Sequence, residues 1–410
     1  MTKDRLQQSY DILDSLRLDN NLYVASASSD YNFVWLRDSF YEVLPYLDKP
    51  CNRYEDTYHA ILDILNSYRW KFDPCHVSKP RYTHEYIHPR YNTDGTESLN
   101  EWGNCQHDAI GAILFGIGQG ELYNKRIIRD KEDRDTIQSL VYYLNKVQYW
   151  QDEDNGMWEE GRELHSSSIG AVVAGLKAVE HLVTVPDILI KKGQDALNKL
   201  LPNESPTRKN DLSQLSLIYP YNVVNREQAW HILLGVERNL LRSRGIIRYK
   251  ADSYYNSGDP DNRHSDPSYY HGKEAEWTFG LPWMALVYMH VGNTEVAKEY
   301  IQRTEEVMLD NGALPELYYA NTNLYNGNTP LGWSNSMFIL AKEALANLED
   351  ENNEGFTLTC NGCGNTTHLT QNGEHSISFS NTTISTDVDG GWGYYGFWCK
   401  NCDEQIQEEY

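Results

Sequence analysis

Apolar residues recur three and four positions apart along most of the chain, and this spacing predicts α-helices. Strand-like alternation is scarce before residue 348. Clear examples of the helical spacing are Ile61/Leu62/Leu65, Ala109/Ile110/Ile113/Leu114/Ile117, Ile137/Leu140/Val141/Leu144/Val147, Ile169/Val172/Val173/Leu176/Val179/Leu182 and Met337/Phe338/Leu340/Ala341. Long segments rich in aromatic, Gly, Asn and Asp residues separate the helical patterns, at residues 70–104, 150–167, 245–275 and 310–333. Long loops in a compact domain usually carry function. The pattern therefore predicts a toroid of paired helices with its loops gathered at one end.

The pattern changes after Leu348. Residues 349–356 begin with an acidic, Asn-rich run that is typical of a polar linker. Residues 357–410 contain Thr/Ser/Asn-rich segments of strand character and four of the seven cysteines. The sequence thus predicts a helical domain over residues 1–348, a linker, and a small β-rich module.

Charge and composition narrow the possible partners. The net charge of −23 over 410 residues argues against binding to a nucleic-acid backbone, and it suits an uncharged or cationic ligand. No apolar stretch approaches the roughly 18 residues of a membrane span, and the N-terminus lacks the apolar core of a signal peptide. These features predict a cytoplasmic protein without a membrane partner. The 30 Tyr and 11 Trp residues, many in loops, are suitable platforms for sugars, or else they cap a helical core.

The C-terminal module contains two C-x-x-C pairs that are typical of a structural zinc site. They resemble the knuckles of zinc ribbons, with His368 and His375 as reserve ligands. A redox pair or free thiols are the alternatives, but the doubled motif favours zinc. A module of this size has little core, so the metal would stabilise its fold. A closed four-thiolate site would leave no position for catalysis, although the module could bind a protein partner. The predicted ligands are Cys360, Cys363, Cys399 and Cys402.

The segment His84-Glu85-Tyr86-Ile87-His88 matches the H-E-x-x-H pattern of zinc proteases. That mechanism needs both histidines on one helical face. Pro89 disfavours helical geometry at His88, and Pro80 lies just before the motif. We therefore interpret this segment as an extended or loop segment beside a binding cleft.

Two adjacent carboxylates follow a tryptophan in the loop between two helical patterns, at Trp158-Glu159-Glu160. A carboxyl group beside an indole is partly desolvated, which raises its pKa and suits a general acid near neutral pH. Alone, this motif could equally be a solvated acidic turn. Its significance depends on four other segments of the chain.

The first of these segments ends in Arg37-Asp38. An Arg-Asp pair after aromatic residues can hold adjacent sugar hydroxyls, because Arg donates in a fork and Asp accepts; a structural ion pair at a helix start is the alternative. The four segments are Tyr31-Asn32-Phe33-Val34-Trp35-Leu36-Arg37-Asp38, Trp102-Gly103-Asn104-Cys105-Gln106-His107-Asp108, Arg248 with Glu276-Trp277, and Leu314-Pro315-Glu316-Leu317-Tyr318-Tyr319 with Trp333.

Taken in order, these motifs resemble glycoside hydrolase family fifteen, the glucoamylases, and the related domain of phosphorylase kinase regulatory subunits. The resemblance covers residues 20–345 and implies an all-α, (α/α)6 barrel. It implies that Glu159 is the general acid and Glu316 the general base. Arg37, Asp38, Trp102 and Arg248 would hold the glucose at the non-reducing end. The remaining substrate-binding residues that it implies are Tyr31, Trp35, Gln106, Asp108, Trp158, Glu160 and Trp333.

Three functions fit these motifs. The first is an inverting exo-acting α-glucosidase, in which the two carboxyls stand ~6.5–9.5 Å apart to admit a water. The second is a non-catalytic carbohydrate-binding or regulatory protein, because the motifs also resemble those of kinase subunits. The third is a hydrolase that the zinc module recruits to a glucosylated macromolecule.

Overall fold

The computed structural model describes residues 4–73, 79–255 and 266–353, followed by six short strands. The chain divides into two compact units, Met1–Lys342 and Glu343–Tyr410. The helices are α1 Arg5–Leu16, α2 Leu36–Val43, α3 Arg53–Ser67, α4 His107–Leu122, α5 Lys131–Val147, α6 Ser166–Val179, α7 Asp187–Leu200, α8 Arg226–Leu240, α9 Gly280–His290, α10 Thr294–Val307 and α11 Gly332–Asn353. These helices confirm the periodic segments predicted from the sequence. None of the helices in the described residues has the length and apolar character needed to cross a bilayer.

Buried and half-exposed helices alternate along the first unit. All eight residues of α2 are buried, and in α6 only Lys177 is not. The helices that alternate with them bury only one face, as in α5, whose other side is polar. A helix that is apolar all round lies inside a fold, whereas an amphipathic helix covers it. The inner elements are α2, α4, α6, a 3₁₀ helix at Leu212–Leu217, α9 and the first half of α11; the outer ones are α1, α3, α5, α7, α8 and α10. Among the described residues, this makes six pairs of an outer and an inner element.

Two inner helices, α4 and α6, approach each other closely because glycines lie at their contact. A Cβ atom on Gly111 would stand 2.4 Å from the backbone carbon of Ala171. A Cβ atom on Gly118 would stand 2.2 Å from the backbone oxygen of Ala178. No real Cβ atom tolerates such distances, so the sequence must leave these positions without a side chain.

Short antiparallel strand pairs brace the loops that lead into the inner helices. Strand β1 (Val34–Trp35) pairs with β2 (Arg90–Tyr91), and β3 (Glu276–Trp277) pairs with β4 (Leu317–Tyr318). Each pair joins segments that are distant in sequence. The loops before α2, α9 and the strand β4 are therefore fixed to other loops rather than left free.

After the end of α11, the described residues of the second unit form strands. Strands β5 Phe356–Thr359, β6 Thr366–Asn372 and β7 Ser376–Phe379 form one antiparallel sheet; β8 Ile384–Asp387, β9 Gly396–Cys399 and β10 Glu404–Ile406 form another, with β9 in the middle. Helix α11 continues to Asn353 and so covers most of the segment predicted as a linker. Cys399 ends strand β9. The other three predicted zinc ligands, Cys360, Cys363 and Cys402, lie outside the described residues.

Candidate active site

A cavity of about 940 Å³ in the first unit collects residues from nearly every motif that the sequence analysis singled out. Eleven of the thirteen predicted catalytic and substrate-binding residues line it: Tyr31, Trp35, Arg37, Asp38, Trp102, Trp158, Glu159, Glu160, Arg248, Glu316 and Trp333. The two predicted catalytic carboxylates thus face one cavity although they come from distant parts of the chain.

The cavity residues gather because the loops that carry them precede inner helices. Arg37 and Asp38 belong to the first turn of α2, and Trp333 belongs to the first turn of α11. The segment 158–160 precedes α6, and Trp277 precedes α9. Since inner elements follow outer ones in order, these loops meet at the same end of the helices.

Glu159 projects into the cavity from an unusual backbone conformation. Its φ angle is +60°, in the left-handed region that non-glycine residues rarely adopt, and such residues often mark functional sites. The turn is held by the amide hydrogen of Glu160, which bonds the carbonyl oxygen of Asn155 at 3.0 Å.

Every hydrogen bond to the Glu159 carboxylate, among the described residues, reaches the same oxygen. Trp35 Nε1 donates to Oε1 at 2.9 Å, and Gln106 Nε2 donates to it at 3.1 Å. The guanidinium of Arg37 lies 3.6 Å from the same atom. Oxygen Oε2 is therefore left for a ligand in the cavity.

The indole that donates to Glu159 comes from Trp35 and not from the adjacent Trp158. The Nε1 atom of Trp158 donates instead to Oδ1 of Asp211 at 2.7 Å, and its ring lies 6.0 Å from that of Trp277. Trp158 is thus anchored to the wall of the cavity. The sequence predicted an indole beside Glu159, and the indole that forms the hydrogen bond belongs to Trp35.

Glu316 is buried and accepts hydrogen bonds at both oxygens. Tyr31 Oη donates to Oε1 at 2.6 Å; Asn328 Nδ2 donates to Oε2 at 2.8 Å, and Asn326 Nδ2 also donates to Oε2. Burial raises the pKa of Glu316 above its usual range, and the Tyr31 and asparagine donors partly counter that shift. Asn326 and Asn328 lie in the loop after β4, and neither was predicted from the sequence to belong to the site.

Arg37 is held from behind by Asp108 and Gln106. Its Nη1 atom donates to Oδ2 of Asp108 at 2.6 Å and to Oε1 of Gln106 at 3.2 Å. Neither partner is among the residues that line the cavity in the described part of the chain. Both were predicted to bind substrate. In the structure both instead hold Arg37, and Gln106 also holds Glu159.

Asp38 faces the cavity near both catalytic candidates. Burial raises the pKa of Asp38 to about 7; Arg37 opposes this shift, whereas the charges of Glu159 and Glu316 add to it. A carboxyl group poised near neutrality can accept a hydrogen bond from a sugar hydroxyl as an anion or donate one as an acid.

Glu160, which also lines the cavity, is the centre of an ion-pair cluster. Arg248 Nη2 donates to its Oε1 at 2.9 Å, Arg208 Nη2 donates to Oε2, and the Tyr249 hydroxyl lies 2.8 Å from both oxygens. Burial alone would raise the pKa of Glu160, but the two guanidinium groups outweigh it and lower the pKa. Its charge is therefore balanced locally. Arg248 also makes a two-point contact with Asp252, at 2.6 and 2.7 Å.

Aromatic rings form much of the remaining wall. The ring of Tyr254 stacks on that of Trp277 with centroids 5.8 Å apart, and Phe279 stacks on Trp333 at 4.7 Å. The Tyr254 hydroxyl lies 2.9 Å from that of Tyr31. No role was predicted for Tyr249, Tyr254 or Phe279. The density of tyrosines in the loop 245–275 was the available signal for Tyr249 and Tyr254.

The H-E-x-x-H segment does not form a metal site of the protease type. Residues Thr83–Glu85 form a 3₁₀ turn, and His84 is exposed whereas His88 is buried. Burial lowers the pKa of His88 to about 4. Pro89 predicted that this segment would not be an α-helix, and the structure agrees.

One group of side chains among the described residues has the spacing of metal ligands: Cys105, His107 and Asp152, all buried, with ligand atoms within 4.8 Å of one another. Asp152, however, also pairs with Lys79 at 2.7 Å and lies 3.5 Å from Arg162. Two cations at the same carboxylate disfavour a bound metal ion. The cluster instead ties the loop before α4 to the loop that carries Glu159.

Comparisons with known proteins agree with this geometry. Residues 21–188 match the family Glycosyl hydrolases family 15. The phosphorylase b kinase regulatory subunit alpha of rabbit skeletal muscle (Oryctolagus cuniculus) is 27% identical over 77% of this chain and 30% of its own length. An uncharacterized glycosyl hydrolase of Methanocaldococcus jannaschii is 25% identical over 62% of this chain and 46% of its own. The chain thus spans about a third of the length of the kinase subunit.

Solved structures show the same fold. A glycosidase variant in complex with glucose superposes with a TM-score of 0.66 at 17% identity, covering 83% of this chain and 96% of that one. A glucoamylase from Saccharomycopsis fibuligera superposes with a TM-score of 0.58 at 16% identity, covering 85% and 97%. The chain therefore has the six-hairpin fold of the glucoamylases, which the alternation of inner and outer helices already indicated.

Proposed function

We propose that this protein is an inverting glycoside hydrolase that releases glucose from the non-reducing end of an α-glucoside. The observation that carries the proposal is that Glu159 and Glu316 line one cavity together with charged and aromatic groups suited to a sugar. The resemblance to glucoamylases adds the expectation of exo action on an α-linkage.

Glu159 supplies the proton in this mechanism. Its Oε1 is committed to Trp35 and Gln106, so the proton sits on Oε2 and passes to the glycosidic oxygen. As that O–H bond forms, the bond from the oxygen to the anomeric carbon breaks and the aglycone leaves as an alcohol.

Glu316 activates the water that replaces the aglycone. The carboxylate takes one proton from the water while the water oxygen bonds to the anomeric carbon from the opposite face. Tyr31 and the two asparagines fix the orientation of the carboxylate, and burial keeps its pKa high enough for it to be an effective base. The product is β-glucose because the configuration at the anomeric carbon is inverted.

Two charged pairs that line the cavity hold the sugar ring. Arg37 and Asp38 present a donor and an acceptor, and the pair Glu160–Arg248 presents the same combination. Adjacent hydroxyls of glucose match such pairs, because each hydroxyl both donates and accepts. The rings of Trp35 and Trp102 would contact the apolar faces of the sugar, whereas Trp333, stacked between Tyr41 and Phe279, supports the wall of the cavity.

Turnover of maltose, followed by proton NMR of the released anomer, tests the proposal. We expect β-glucose to appear first, and Glu159→Gln and Glu316→Gln each to lower kcat by about 10²–10⁴-fold. Glu132→Gln, in the first turn of the outer helix α5, is the matched control and should retain full activity. Initial release of α-glucose, or absence of turnover across a panel of α-glucosides, would contradict the proposal.

A second function is favoured by the relatives that are regulatory subunits of phosphorylase b kinase. In this alternative, the cavity binds a carbohydrate without hydrolysing it, and the protein acts on a protein partner. Calorimetry with the inhibitor acarbose separates the two functions: binding without any turnover of α-glucosides favours the alternative, whereas binding together with turnover favours the hydrolase.

Recruitment to a glucosylated macromolecule through the zinc module is a variant of the first function. It predicts that deletion of residues 354–410, which starts after α11 ends, leaves maltose turnover intact and lowers turnover only on the macromolecule. Equal loss on both substrates would show that the module supports the barrel instead.

A further inference from the structure

A second cavity, of about 900 Å³, has a charge opposite to that of the whole chain. The chain carries a net charge of −23, yet this cavity is lined by four cationic side chains and a single carboxylate, Glu227. The four cations are Arg208, Lys209, Arg238 and Lys250. They come from three separate segments: the loop before the 3₁₀ helix, helix α8, and the loop after it. A local surplus of positive charge in so acidic a chain favours an anionic ligand there.

Three of these cations are not neutralised by other residues. In the described parts of the chain, Lys209 and Arg238 have no ion pair or side-chain hydrogen bond, and both are exposed. Lys250 donates to the neutral amide oxygen of Asn239 at 2.8 Å. Their charges are therefore available to a ligand at little cost in broken contacts.

The uncharged lining suits a small molecule with a ring. Trp230 contributes a half-buried indole that is held edge-on by Tyr288, with ring centroids 6.4 Å apart. Asn210 and Asn239 add amide groups that can donate to and accept from hydroxyls. The volume lies within the range of small-molecule sites. We propose that this cavity binds a phosphorylated small molecule, with its phosphate on Lys209, Arg238 and Lys250 and its ring beside Trp230.

The second cavity shares a wall with the candidate active site. Tyr249 lines both cavities. Its ring lies 3.6 Å from the guanidinium of Arg208, which lines the second cavity and pairs with Glu160 in the first. An anion that draws Arg208 towards itself would loosen Glu160. Bound ligand would therefore weaken sugar binding, an effect that rests on the function proposed above for the first cavity.

Isothermal titration of the 410-residue chain with AMP, ribose 5-phosphate and inorganic phosphate tests the site. We expect saturable binding of one phosphate ester per chain, weaker binding of inorganic phosphate, and an affinity that falls as salt rises. The double variant Lys209→Gln/Lys250→Gln should bind the ester at least about tenfold more weakly. Lys131→Gln, an exposed lysine on the outer helix α5, is the control and should bind as the wild type does.

The two esters distinguish the possible sources of the ligand: tighter binding of AMP assigns the ring to a nucleobase, and tighter binding of ribose 5-phosphate assigns it to a sugar. Absence of saturable binding by either ester, or an unchanged affinity in the double variant, would overturn the site. The three substituted lysines, Lys209, Lys250 and Lys131, are exposed, so we expect each variant to fold as the wild type does. An unchanged thermal unfolding transition checks this.

The coupling is measured separately, as the affinity for acarbose with and without a saturating ester. We expect the ester to weaken acarbose binding about fivefold or more. An unchanged acarbose affinity overturns the coupling alone. If acarbose fails to bind in the absence of ester, the sugar site is wrong, and the phosphate site is then judged by the first titration.

Discussion

The hydroxyl of Tyr31 donates a hydrogen bond to Oε1 of Glu316 at 2.6 Å, across 285 positions of sequence. Tyr31 lies in the loop before α2, and Glu316 lies in the loop before β4. This bond links the first loop of the helical domain to one of its last and orients the proposed base. It shows that the base depends on a contact that only the closed arrangement of helices provides.

Replacing Tyr31 by Phe should lower kcat for maltose by about tenfold or more, because a charge-assisted hydrogen bond to the base is lost. The pKa of Glu316 should also rise, since the Tyr31 donor now lowers it. The acidic limb of the pH–rate profile, where the base becomes protonated, should therefore move to higher pH. Tyr142→Phe, at an exposed position, is the control. A lower kcat with an unmoved acidic limb would contradict this role for Tyr31.

Asp38→Asn should change the free energy of unfolding, measured relative to the wild type, in a pH-dependent way. The variant should be more favoured over the wild type at pH 8 than at pH 5. The pKa of Asp38 is about 7 in the folded state against an ordinary value of 3.8, mainly because of burial. Its contribution to stability is thus present below pH 4 and is lost as the pH rises to 7. The asparagine variant avoids this loss, which between pH 5 and 8 is on the order of 2 kcal/mol. Urea unfolding of both proteins at the two pH values measures the difference in free energy of unfolding. An equal difference at pH 5 and pH 8 would contradict the raised pKa of Asp38.

The same variant should bind acarbose more weakly at pH 8, where the wild-type side chain is an anion that accepts hydrogen bonds from a sugar. A gain in stability accompanied by a loss of sugar binding is the expected trade-off at a site built for a ligand. Titration of both proteins with acarbose at pH 8 provides the comparison.

Gly111→Ala should destabilise the first unit by about 1–3 kcal/mol, because the added methyl group would meet the backbone of α6 at 2.4 Å. The helices α4 and α6 would have to separate, since the contacting atoms belong to the backbone and cannot rotate away. Gly327→Ala, where a Cβ meets nothing within 4 Å, should change stability by less than about 0.5 kcal/mol. Chemical unfolding of both variants measures the difference, and similar values would argue against close packing of these helices.

Purified protein should contain one zinc ion per chain, as the two C-x-x-C pairs of the C-terminal module predict. Elemental analysis measures the metal content. Cys363→Ser should lose the zinc, whereas Cys51→Ser should keep it, because Cys51 is a partly exposed free thiol in the first unit. Full metal retention in Cys363→Ser would rule out the predicted ligand set.

The helices and the general content of the site could be predicted from the sequence because both depend on local signals. The three- and four-residue spacing of apolar positions marked α4, α5 and α6 correctly, since one turn of helix buries one stripe of side chains. The motifs around Glu159 and Glu316 were recognisable because each is a short run of neighbouring residues. The strands after residue 355 were likewise indicated by the Thr/Ser/Asn-rich composition of that part of the chain.

The tertiary structure alone decided which groups meet. Trp35, and not Trp158, donates to Glu159; Gln106 and Asp108 support the cavity instead of lining it; and Asp38 has its raised pKa because of burial. Hydrogen-bond partners and desolvation depend on residues that are distant in sequence, from 53 positions for Gln106 and Glu159 to 285 for Tyr31 and Glu316. Sequence spacing carries no record of these distances, whereas the packing of six helix pairs sets them.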